Sequence, residues 1–204
     1  MHGPRQRARG LRGLVVGVVS TTVLAGCGAS AEPAAEPPTP EPSTPSSAGA
    51  AIPGDGTYEV GSEVQPGVYV ASGGKDCRYQ RLDKADVEYP DVIVQGFLSR
   101  PIIEIKADDG GFSSDGCGSW TPLDSYEGTL GAELPGDGIW LVGEDVEPGT
   151  YQAEGGPWCM WSRISGWTAD ISSVIKGGAG RRATLEEGDL GFVTEGCGAW
   201  TRIG

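Results

Sequence analysis

The chain has 204 residues, 28 of them acidic and 15 basic, and a formal net charge of −13 at pH 7. Its one histidine, His2, lies in a leader-like N-terminus, and it has no Asn, so the mature chain is denied His-dependent triads, His-ligated metals and Asn-linked sugar. The acidity argues against a nucleic-acid partner.

Residues 1–26 read as an export signal. Arg5, Arg7, Arg9 and Arg12 form a basic start, and Leu14 to Leu24 an apolar run too short to cross a bilayer as a helix. Leu24-Ala25-Gly26-Cys27 then resembles the lipobox of bacterial lipoproteins. The resemblance implies that Cys27 is diacylated and becomes the mature N-terminus, on the extracytoplasmic face of the cell membrane. Two acyl chains give stable attachment where one does not. Four basic residues leave with the signal, so 11 remain against 28 acids, net −17. An anionic membrane repels such a body, so the anchor must hold it there.

From Cys27 to residue 51 the chain is mostly Pro, Ala, Ser, Thr and Glu, without an aromatic residue. Such a stretch cannot offset its ordering entropy by burial. Its prolines favour extended polyproline II, a stalk of roughly 75 Å at about 3.1 Å per residue.

The rest is a duplication. Residues 52–82 align without a gap on residues 134–164, with 15 of 31 positions identical. Phe112 to Thr121 likewise aligns with Phe192 to Thr201. The expected domains are 52–122 and 134–204, joined by 123–133. Each shows short alternating stretches, such as Val68-Tyr69-Val70 and Ile103-Glu104-Ile105, between turn signals such as Pro66-Gly67. The expectation is all-β: two tandem antiparallel sandwiches or barrels of about seven strands each.

Gly56-x-Tyr58-x-Val60-Gly61, Glu63-Val64-x-Pro66-Gly67-x-Tyr69, Cys77-x-Tyr79-x-Arg81 and Gly116-Cys117-Gly118-x-Trp120 recur in the second copy. This pattern resembles a small module of secreted and lipid-anchored proteins of high-GC Gram-positive bacteria. The resemblance covers most of both copies and implies no particular activity.

With Cys27 lipidated, four cysteines remain, two per copy, and three pairings are possible. Duplication selects Cys77–Cys117 and Cys159–Cys197, since each ancestral unit had to be stable alone. Loops of this size give about 4 kcal/mol each by the chain-entropy estimate. Cys spacing does not suit a metal site, and no cofactor is expected.

Matched aromatics, among them Tyr79/Trp161 and Trp120/Trp200, read as core. Matched Arg81 and Arg163 are expected to pair with Glu63/Asp145 or Asp115/Glu195. Aromatics present in one copy only are better candidates for contact, so recognition is expected near Trp158 and Trp167, beside Trp161, with Tyr89 a weaker counterpart. Ser72-x-x-Lys75 and Ser173-x-x-Lys176 match the S-x-x-K nucleophile motif, but no K-T-G follows. The function expected is non-catalytic: a membrane-anchored protein that binds an envelope protein or glycan, in adhesion or envelope organisation. The alternative is a small envelope hydrolase with paired carboxylates.

Overall fold

The computed structural model describes residues 49–167 and 171–204. The export signal, Cys27 and the linker as far as residue 48 lie outside the described residues. Within them the protein is all-β, with no α-helix and two similar halves.

The first copy holds β1 (Gly56–Glu59), β2 (Gly67–Ala71), β3 (Arg78–Leu82), β4 (Val92–Gly96), β5 (Ile102–Ile105), β6 (Gly111–Asp115) and β7 (Trp120–Pro122). They form two antiparallel sheets, ordered β1-β6-β3-β4 and β5-β2-β7. The second copy opens with β8 (Glu133–Leu134) and repeats the set: β9 (Gly138–Leu141), β10 (Gly149–Ala153), β11 (Met160–Ile164), β12 (Val174–Ala179), β13 (Arg182–Leu185), β14 (Gly191–Glu195) and β15 (Trp200–Arg202). Its sheets run β12-β11-β14-β9 and β13-β10-β15-β8. Even β8 has a counterpart, because Ile52 bridges Trp120 as Leu134 pairs with Trp200.

Alternation decides what each strand buries. In β2, Tyr69 and Ala71 point into the first core; Ile103 and Ile105 do so from β5, Tyr79 from β3 and Phe112 from β6. The second core holds Tyr151, Ala153, Ala183, Leu185, Trp161 and Phe192 at the matched positions. Each core closes on a fully buried Trp. Trp120 meets Phe112 edge to face at 5.1 Å and donates its indole N–H to Ser114 Oγ at 2.8 Å. Trp200 meets Phe192 at 5.1 Å and donates to Thr194 Oγ1 at 2.7 Å. Those bonds matter because a buried donor without an acceptor costs about 1–3 kcal/mol. Beside them lie the disulfides Cys77–Cys117 and Cys159–Cys197, one in each copy.

The partners of the matched arginines differ from expectation. Arg81 Nε and Nη2 donate to the two oxygens of Asp109 at 2.6 and 2.7 Å. Arg163 makes the same fork to Asp189, at 2.7 and 2.9 Å, and adds Glu186 at 2.8 Å. Neither Glu63/Asp145 nor Asp115/Glu195 takes this role. Asp109 and Asp189 sit in the tight turns after β5 and β13, where each also accepts a backbone N–H, from Lys106 and Glu186 respectively. Glu63 and Asp145 instead accept the N–H of Glu59 and Leu141, closing the turns after β1 and β9.

The copies are not separate beads. Val70 and Ile102 on the outer face of β2 and β5 bury themselves against Ile139, Leu141 and Ile164 on the outer face of the second copy's β9-β14-β11 sheet. The connection joins in: Leu123 and Tyr126 pack on the same cluster. The contact is heterologous, because the two copies present different sheets to each other.

Candidate functional site

The outer faces explain why matched positions diverge. Cross-strand neighbours Val70 and Ile102 correspond to Gln152 and Arg182, and Val68 corresponds to Thr150. Conversely, Ile139 and Val193 correspond to Thr57 and Ser113, and Leu141 to Glu59. Each face is apolar in the copy that docks with it and polar in the copy that leaves it in water. Aliphatic burial of this kind stabilises by about 25 cal/mol per Å² removed from water.

Arg100 pins the junction. It precedes β5 and reaches into the second copy, where its guanidinium lies over the Trp140 ring at 4.5 Å. Its Nη1 donates to the Ile139 carbonyl and its Nη2 to Asp145 Oδ2 at 3.0 Å. Its own carbonyl accepts the Ile139 N–H at 2.8 Å. Tyr126, from the connection, accepts from Arg100 Nη2 at 2.6 Å and donates to Asp145 Oδ1 at 2.6 Å. Burial, and then the bond to Asp145, hold the Tyr126 hydroxyl above the ordinary phenol range, so it stays a donor. Gly138 permits the approach: a Cβ there would come within 2.8 Å of Arg100 Cβ. The position matched to Arg100 is Gly180, so this clasp belongs to one copy only.

Beside the clasp the sheets part and leave an open cleft of about 410 Å³. That is in the range of small-molecule sites. Its first-copy side is the edge of the sandwich between β4 and β5, with Val94, Leu98, Ile102 and Glu104. Its second-copy side is the outer sheet face with Ile139, Ile164 and Val193, capped by Trp167 and Ile171. The walls are mainly aliphatic. Tyr79, Arg81, Glu104, Ser162 and Ser173 bring the polar groups, and Glu104 is the one carboxylate among the described lining residues.

The aromatic candidates do not gather in one place. Trp167 lines the cleft and packs on the junction cluster. Trp161 is 9% exposed and faces the second core, its ring laid over Gly178, where a Cβ would come within 2.6 Å of it. Its indole N–H is buried without an acceptor among the described residues. Trp158 and Tyr89 are 81% and 85% exposed, on a turn before β11 and on the loop between β3 and β4. Most residues of the cleft walls are aliphatic, and only a position-by-position comparison of the copies would have marked them. Three acids in or beside the turns have structural duties: Asp55 accepts the Gly116 N–H, Asp137 those of Gly196 and Cys197, and Asp109 the Arg81 fork.

A family profile described as Rv1352-like extracellular domain matches residues 50–121 and again 132–201. The chain belongs to the Rv1352-like extracellular domain family. Two Rv1352-like domains therefore stand in tandem, each with its own core and disulfide. No curated protein and no solved structure matches the chain. No helix among the described residues is long and apolar enough to cross a membrane.

Proposed function

We propose that the protein is a lipid-anchored, non-catalytic binding protein of the cell envelope, and that the cleft between its two Rv1352-like domains is the binding site. The observation that carries this reading is the cleft itself: about 410 Å³, mainly aliphatic, with Trp167 at its rim. Hydrolysis of glycosides by the usual route needs two carboxyl groups flanking one bond. The cleft offers Glu104 alone among its described lining residues, which favours binding over hydrolysis. Attachment is assigned to acyl chains on Cys27. The family's extracellular assignment fits that location.

Gly166 gives a clean test of the cleft. It lines the cavity, and the nearest atom to a Cβ built there is Ser173 Cβ at 3.7 Å, an ordinary contact. Gly166→Phe should fill the cleft without straining the backbone. The wild-type chain should retain an apolar envelope component that Gly166→Phe, at the same melting temperature, does not. Equal retention by both would reject the cleft. The anchor has its own test. Cys27→Ser should move the protein from membrane to soluble fractions, and persistent attachment in high salt would reject lipidation.

A further inference from the structure

We propose that the cleft selects an amphiphilic cation: an apolar chain against Ile102, Ile139, Ile164 and Trp167, with its ammonium group at Glu104. The inference rests on the cleft being the binding site and names the class of ligand it takes.

Glu104 alternates with the core residues Ile103 and Ile105, so it leaves the first core on the side of the second copy. It is half-buried among aliphatic side chains, yet it makes no hydrogen bond and no ion pair to any described residue. A carboxylate in such a place loses hydration and has no hydrogen-bond donor among the described residues to offset the loss.

The other charge at the cleft, Arg81, is already spoken for. Asp109 holds it by a two-point fork, and that bond together with the fields of Asp109, Glu104 and Asp108 keeps its guanidinium above the ordinary range. One positive charge therefore faces several negative ones, and the uncompensated group on the cleft wall is Glu104. Lys106 is exposed and does not line the cleft. The second copy shows the contrast. The residue matched to Glu104 is Thr184, whose hydroxyl bonds Thr150 at 3.3 Å. The free carboxylate thus occurs only in the copy whose edge forms the cleft. The chain from residue 27, with 11 basic and 28 acidic residues and net charge −17, adds a field that concentrates cations and repels anions.

The test uses the chain from residue 27 with Cys27→Ser, so that no acyl anchor competes. The probes are n-octylamine, 1-octanol and octanoate at pH 7, followed by tryptophan fluorescence and calorimetry. Octylamine should bind at least tenfold more tightly than octanol, and octanoate more weakly than either. Glu104→Gln should abolish the amine preference, bringing octylamine to the octanol affinity of the same variant, at an unchanged melting temperature. Octanoate binding as well as the amine, or an amine preference that survives Glu104→Gln, overturns the proposal. Octanol binding that Gly166→Phe abolishes, without any amine preference in the wild type, sinks the ligand class and leaves the cleft as the site. If neither octanol nor octylamine binds, or if Gly166→Phe leaves both unaffected at an unchanged melting temperature, the cleft reading falls as well.

Discussion

Asp109→Ala should cost about 3–5 kcal/mol of stability, because it leaves the buried Arg81 charge without a counterion. What is lost is the hydrogen-bonded counterion, since Glu104 and Asp108 act on Arg81 only through their fields, and the Lys106 N–H that closes the turn after β5 loses its acceptor as well. For a copy of about 70 residues that is a large share of the total, since whole domains are stable by only about 5–15 kcal/mol. The duplication supplies an internal control. Asp189→Ala should cost less, because Arg163 keeps Glu186, though that carboxylate is mostly exposed and holds its partner weakly. Removing charge from both partners, as Arg81→Met with Asp109→Leu, should recover most of the loss. Urea unfolding of the three variants checks the order. A loss below about 1 kcal/mol in Asp109→Ala would mean that water reaches Arg81 and that the pair is ornamental.

The same pair shows where sequence reasoning stops. The strands were legible because alternation at Val68-Tyr69-Val70 and Ile103-Glu104-Ile105 is local, and Pro-Gly turns punctuate it. The disulfides followed from duplication, since a bond must have served one copy before there were two. The partner of Arg81 was not legible. Several acids are matched between the copies, and only the turn after β5 brings Asp109 to the inner side of β3. The aromatic candidates split for a similar reason. Residues 158, 161 and 167 are close in sequence, but one lies on a turn, one on an inward strand position and one beyond the strand end. Spacing along the chain therefore did not translate into a common surface. The site itself left a signal in the unmatched aliphatic residues. Val70 against Gln152 and Ile139 against Thr57 look like drift when each pair is taken alone. Taken by face, they separate a buried sheet from a wet one.

That separation carries the second large effect, on assembly. A heterologous contact uses a different face of each copy, so each copy keeps one unused face on which a further copy can dock. What stops it is polarity. The second copy's free sheet offers Thr150, Gln152 and Arg182 where the first offers Val68, Val70 and Ile102. The first copy's free sheet offers Thr57, Glu59 and Ser113 where the second offers Ile139, Leu141 and Val193. Docking those two free faces would take an arginine and a glutamate out of water, a cost of several kcal/mol that their mutual attraction repays only with excellent geometry. Replacing Thr150, Gln152 and Arg182 by Val, Val and Ile, together with Thr57, Glu59 and Ser113 by Ile, Leu and Val, removes that barrier from both ends. The six-fold variant should form open chains whose length grows with concentration, seen as a rising sedimentation coefficient and as filaments by electron microscopy. Either triple set alone leaves one face polar and should stay monomeric. A six-fold variant that remains a folded monomer at high concentration would show that Arg100, with its clasp on Asp145 and Tyr126, and not the aliphatic faces, decides which copies dock.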